Sequence, residues 1–175
     1  MADSIRGHSY DDYEGEVRKG ILLHRSIDSF TDMHPVYRQS KHRLHEKYGH
    51  YSGVIIDIFY DHFLAKNWSA YSNEKLEVYA DTFYHLLKDN YEILTERVKN
   101  MIPYMFARNW LVSYATIDGL QMIMFHMDHR TKNRVDMHES MIELKQYYTE
   151  FEHEFTLFFE ELRQHCADKL KELNG

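Results

Sequence analysis

The sequence predicts an all-α fold, a single helical bundle spanning residues 1–175. Three observations carry that expectation. Apolar residues recur every three to four positions along most of the chain, strict alternation with a period of two is absent, and only seven Gly and two Pro interrupt 175 residues. A chain this long, 43% hydrophobic and 15% aromatic, can bury an ordinary core without disulfides or structural metal.

The elements follow in order. Residues 1–13 are polar, with scattered Asp and Tyr, and are expected to form a helix end and a loop. Over 14–32 the set Val17, Ile21, Leu22, Ile27 and Phe30 has helical spacing. Pro35 suits the first turn of a second helix over 35–48, with Gly49 as its stop. Ser52 is placed to cap a helix over 53–66. That helix is apolar on most sides and so is expected at the centre. Ser72 or Asn73 caps a helix over 74–88. Another is expected over 91–100, with Pro103 forcing a break. Helices over 105–114 and 116–127 follow, with Trp68 and Trp110 expected in the core. From Arg134 to about Leu173 the spacing of Met137, Met141, Leu144, Tyr148, Phe151, Phe155, Phe158, Leu162 and Leu170 fits one long helix, or two with a break near Tyr147.

Charge and cysteine use narrow the function classes. The net charge is −7, and residues 135–175 hold −6 of it, with ten acidic and four basic residues. This balance argues against a general nucleic-acid binder, which needs a cationic surface. Cys166 is the only cysteine, so neither an internal disulfide nor a cysteine zinc site is expected. No apolar run reaches the roughly 20 residues a membrane helix needs, and the opening Met1–Gly7 lacks the apolar core of a signal peptide. A soluble, cytoplasmic protein is expected.

Two clusters carry possible chemistry. His24, Asp28 and Asp32 stand at i, i+4 and i+8, on one line of a helix. Spacing alone leaves His24–Asp28 open between a helical ion pair and a pair of metal ligands. Asp32 reads as a cap or turn carboxylate before Pro35, and Arg25 as either a salt-bridge partner or a bidentate phosphate contact. In the second cluster, Asp57, Asp61 and His62 interrupt the most apolar helix of the chain. Two like charges at i, i+4 repel unless something offsets them, which makes Asp57–Asp61 the firmest anomaly. Mixed nitrogen and oxygen donors without sulfur suit Mn²⁺, Fe²⁺ or Mg²⁺, with Zn²⁺ also compatible. Such ions activate water and hold phosphoryl oxygens. His126, Asp128 and His129 look like a ligand cluster but lie at a helix end, where capping is the simpler role. Arg38, Lys41, Arg43 and Lys47, with His42, His45 and His50, form a local basic stretch.

The segments Gly20-Ile21-Leu22-Leu23-His24-Arg25-Ser26-Ile27-Asp28-Ser29-Phe30-Thr31-Asp32, with His34-Pro35, and Asp57-Ile58-Phe59-Tyr60-Asp61-His62-Phe63-Leu64-Ala65-Lys66-Asn67-Trp68 resemble the signature of bacterial acyl carrier protein phosphodiesterases. Ala2-Asp3-Ser4-Ile5-Arg6-Gly7 resembles a third motif of that family, and Trp110-Leu111 and residues 127–130 add to the likeness. The family is similar to the all-helical HD-domain metallohydrolases. The resemblance implies a hydrolase of lipid metabolism. It would release 4′-phosphopantetheine from holo-acyl carrier protein, its protein substrate, with Mn²⁺ preferred. It implies metal positions at Asp3, His24, Asp28 and Asp61, catalytic positions at Asp3, Asp57 and His62, and a phosphate contact at Arg25. The family carries a further segment before the Ala-Asp motif, so the resemblance implies a shortened start here. Docking of an acidic carrier would use a local basic patch, either Arg38 to Lys47 or Arg130, Lys132 and Arg134. Two other functions stay compatible with the residues: an HD-type hydrolase of nucleotides or other small phosphodiesters, and a non-catalytic helical module that binds the carrier protein.

Overall fold

The computed structural model describes residues 9–131 and 134–175. Among these residues there are nine α-helices, several short 3-10 turns and no strand. A 3-10 turn at Ser9–Asp12 precedes α1 (Gly15–Met33) and α2 (Pro35–Tyr48). Pro35 opens α2, where its missing N–H costs nothing. Gly49 follows α2 in the left-handed region, at φ 51°, which favours glycine. Next comes α3 (Ser52–Lys66), with nine of its fifteen residues buried. Then follow α4 (Leu76–Asp89), α5 (Glu96–Arg108), α6 (Trp110–Ser113), α7 (Ile117–Arg130), α8 (Met141–Gln146) and α9 (Tyr148–Asn174). No described helix is long and apolar enough to cross a membrane.

Two departures from the expected elements have physical causes. Pro103 lies inside α5 without ending it. The N–H it lacks would have met the Lys99 carbonyl one turn back. Pro103 is exposed, so water can take that carbonyl, while Ile102 next to it is buried and holds the helix down. The expected helix over 105–114 is instead split at Asn109, which adopts φ 43° and closes α5 with a left-handed turn. Asn is one of the few residues besides Gly that adopts this conformation readily. The C-terminal pattern is divided at Tyr147 into α8 and α9, the second of the two arrangements its spacing allowed.

The chain forms two compact units. One comprises the described residues up to Ser40 together with His153–Gly175, and the other is Lys41–Glu152. In the first unit, α1 and the start of α2 pack on the later part of α9. Phe158 meets Phe30 at 6.2 Å, His34 at 5.1 Å and Tyr37 at 5.9 Å between ring centres. The buried Glu154 carboxylate accepts from the Gln39 amide at 2.8 Å and from the Ser40 hydroxyl. In the second unit, Phe59 of α3 meets Phe151 at 5.4 Å, and Phe63 meets Tyr148 at 5.1 Å. The short α6 contacts α4, α5 and α7. Gly119 makes the last of these contacts possible, because a Cβ there would fall 2.1 Å from the Ser113 carbonyl oxygen. Thr116 caps α7 by accepting the Gly119 N–H at 3.1 Å.

Candidate active site

In the first unit, α1 places His24 and Asp28 on adjacent turns. His24 Nε2 lies 3.6 Å from Asp28 Oδ2, and the two side chains are 37% and 56% exposed. That distance is long for a hydrogen bond, so the contact is electrostatic. Arg25 is half-buried on the same helix. Asp32 is exposed, and its backbone carbonyl accepts the Arg38 Nε–H at 2.7 Å. Asp3 lies outside the described residues.

In the second unit, α3 sends Asp57, Asp61 and His62 in two directions. His62 is 1% exposed. Its Nδ1 is 2.7 Å from the Tyr114 carbonyl oxygen, which can only accept, so Nδ1 carries the proton. Its Nε2 is 2.8 Å from the Tyr148 hydroxyl and accepts that O–H. Burial lowers its pKa from the ordinary histidine value, consistent with a neutral ring. Both ring nitrogens are thus engaged by protein groups. Beyond His62, Lys66 pairs with Glu152 at 3.0 Å and lies 4.7 Å above the Tyr148 ring.

Asp57 and Asp61 point the other way, and both are exposed. Asp61 lines a cavity of about 730 Å³ in the second unit, with Tyr114, Arg108, Trp110, His126 and Arg130 among its neighbours there. Protein crowds the Asp61 carboxyl on its other sides while the cavity keeps it within reach of water. Burial first, and then the Asp57 carboxylate, push its pKa up to about 7; a hydrogen bond from the Tyr114 hydroxyl opposes the shift. Tyr114 in turn is pushed above the ordinary phenol range by burial and by Asp61, with the Arg130 charge pulling the other way. Asp57 and Asp61 stand one turn apart on α3, and the oxygen donors of such a carboxylate pair suit a hard cation. Among the described residues of either unit, no three His, Cys, Asp or Glu side chains gather into a fuller metal-holding set.

The other candidates have local roles. His126 accepts a hydrogen bond from Arg108 Nη1, and His129 Nδ1 donates to the Phe125 carbonyl at 2.8 Å. The buried Asp128 accepts from Met137 N–H at 2.6 Å and from His138 Nδ1 at 2.6 Å, so it anchors the 3-10 turn Met137–Ser140. Trp68 and Trp110 are half-buried rather than core residues. Trp68 donates its indole N–H to the Glu74 carbonyl, and Trp110 lines the cavity. The basic stretch is largely engaged in its own units. Arg43 lies 5.3 Å from the Phe151 ring centre, and Lys47 pairs with Glu139 and Glu143 at 3.3 and 3.1 Å. Of the alternative patch, Arg130 lines the cavity, Arg134 is exposed and Lys132 lies outside the described residues. Sequence reasoning missed Tyr114 and Tyr148. They meet His62 from 52 and 86 positions away, and no local spacing announces them.

Residues 1–162 match the family model described as acyl carrier protein phosphodiesterase. Similar proteins of that name include one from Pectobacterium atrosepticum, 27% identical over 94% of this chain and 86% of its own length. Another, from Photorhabdus laumondii, is 26% identical over 97% and 86%, and one from Escherichia coli is 26% identical over 97% and 88%. No solved structure matches this chain.

Proposed function

The chain belongs to the acyl carrier protein phosphodiesterase family, and from that premise we propose that it hydrolyses the phosphodiester joining 4′-phosphopantetheine to a serine of holo-acyl carrier protein. The single observation that carries this reading is the family match across residues 1–162. In the reaction a water oxygen joins phosphorus, the P–O bond to serine breaks, and the serine oxygen leaves with a proton. The proposed enzyme is a phosphoric diester hydrolase that acts on a carrier protein in the cytoplasm, and kinship with the HD-type metallohydrolases is part of the proposal.

The site we assign has Asp57 and Asp61 as its carboxylate wall and Tyr114 as the hydroxyl that braces Asp61. His24, Asp28 and Asp3 stay candidate metal positions, and Arg25 a candidate phosphate contact, on the family resemblance alone. With both ring nitrogens engaged, His62 is a positioning residue that fixes the Tyr114 backbone beside Asp61. A divalent cation, with Mn²⁺ expected, completes the proposal. The spacing of Asp57 and Asp61 one turn apart on α3 supports it, since such ions are often held by one or two carboxylates plus water and substrate oxygens. When bound, the ion polarises the phosphodiester and makes water more acidic.

The test is incubation of holo-acyl carrier protein with the enzyme and Mn²⁺, followed by intact mass of the carrier. Loss of the phosphopantetheine mass by the wild type, and its retention with Asp61→Ala, is expected. An unchanged carrier mass with folded wild-type enzyme would refute the assignment.

A further inference from the structure

The cavity beside Asp61 has features that cleavage of a phosphodiester does not by itself require. It is large, about 730 Å³, within the roughly 300–1,000 Å³ common for small-molecule sites. Ile58, Met101, Met105, Ile123 and Met127 give it an apolar wall, and methionine side chains adapt to irregular ligands. Two features point to a polar ligand. Trp110 lines the cavity, and its indole N–H is buried with no partner among the described residues. Such a donor is costly to leave unmet. Arg130 also lines the cavity, and among the described residues it pairs with no carboxylate; its guanidinium contacts only Met127 Sδ, at 3.6 Å. Arg108, by contrast, is tied to His126. The cavity therefore combines an available cation near Tyr114, an unmet N–H donor on one of its lining residues, and an adaptable apolar wall.

We propose that this cavity binds the phosphopantetheine arm itself, with Arg130 holding the phosphate beside Tyr114 and Asp61, Trp110 donating to an amide carbonyl of the arm, and the wall from Met101 to Met127 taking its methyl and methylene groups. The match is one of chemistry: an anion at one end, amide acceptors along the chain, and apolar groups between them. The proposal rests on the function assigned above and names Arg130 as a specificity-determining residue for that substrate.

The experiment reads Trp110 fluorescence in the full chain carrying Trp68→Phe, which leaves Trp110 as the only tryptophan. It is titrated with 4′-phosphopantetheine, with pantetheine, and with inorganic phosphate. A saturable change is expected with 4′-phosphopantetheine. Arg130→Gln should weaken that binding about tenfold while leaving pantetheine binding unaltered, and Arg130→Lys should restore part of it. Met105→Trp, read by competition using calorimetry, should weaken both arm-bearing ligands and leave phosphate alone. The absence of a saturable change, or an equal loss of both arm-bearing ligands in Arg130→Gln, would overturn the arm site. Release of phosphopantetheine from holo-carrier is measured alongside by intact mass. Binding without release would remove the enzymatic assignment and leave the arm site standing, whereas release without binding in this cavity would do the reverse.

Discussion

His62 Nδ1 holds the backbone carbonyl of Tyr114 at 2.7 Å, while the preceding residue of α3, Asp61, shares a cavity wall with Tyr114 and feels its hydroxyl. Two successive residues on α3 thus grip Tyr114 at its hydroxyl and at its main chain. A segment that is remote in sequence is fixed against the carboxylate it braces.

The Tyr114 hydroxyl opposes the rise of the Asp61 pKa, so Tyr114→Phe should raise it above the value near 7. Carboxyl-carbon NMR of the metal-free protein measures this directly. An unchanged titration midpoint would show that the hydroxyl has no electrostatic hold on Asp61.

The Asp57 carboxylate acts in the other direction. Asp57→Asn should lower the Asp61 midpoint below about 7 and weaken Mn²⁺ binding, because one of two hard donors is lost. Calorimetric titration with Mn²⁺ checks the second effect. Unaltered affinity would remove Asp57 from the cation's surroundings.

Histidine 62 gives a pH dependence of stability with a definite sign. Its folded pKa lies below the ordinary 6.5, so the folded state binds fewer protons there than the unfolded chain. The stability it contributes is full above pH about 6.5 and is lost as pH falls toward the folded value. Asp61, whose pKa is raised, works oppositely, since the stability from its protonated form is lost as pH climbs through about 7. Comparing urea midpoints of wild type and His62→Gln from pH 8 to pH 5 isolates the histidine. The gap between the two should narrow on acidification, and parallel profiles would contradict the assignment.

At Gly119 the approach of α7 to the Ser113 carbonyl leaves no room for a methyl group. Gly119→Ala should cost about 1–3 kcal/mol and shift the Trp110 emission, because α6 must move. Chemical denaturation with fluorescence reads both. A variant as stable as wild type with unshifted emission would show that the contact relaxes freely.

The helices were legible because their causes are local. Pro35 opens α2 and Gly49 follows it, and the apolar excess of Ile55, Ile56, Ile58, Phe59 and Phe63 marks α3 as buried. The turn at Asn109 was hidden because the apolar spacing continues through it, and only the backbone conformation reveals the break. At the site, Asp57 and Asp61 stood out as charges on an apolar helix. Their partners did not, since Tyr114 and Tyr148 carry no local mark of their roles. His62 looked like a reactive imidazole in sequence, yet its neighbours commit both nitrogens.

The division of the chain also bears on the order in which it is made. The second unit is one unbroken stretch, Lys41–Glu152, and its contacts can form as soon as that stretch has left the ribosome. The first unit cannot. Its bonds join Ser26 to His165, Gln39 to Glu154 and Lys19 to Asn174, so α1 must wait for the last helix to be synthesised. Until then, the apolar face that α1 and Tyr37 present to Phe158 has no cover. During synthesis, the segment that carries His24 and Asp28 is therefore open to chaperones, proteases and misassociation until α9 is complete.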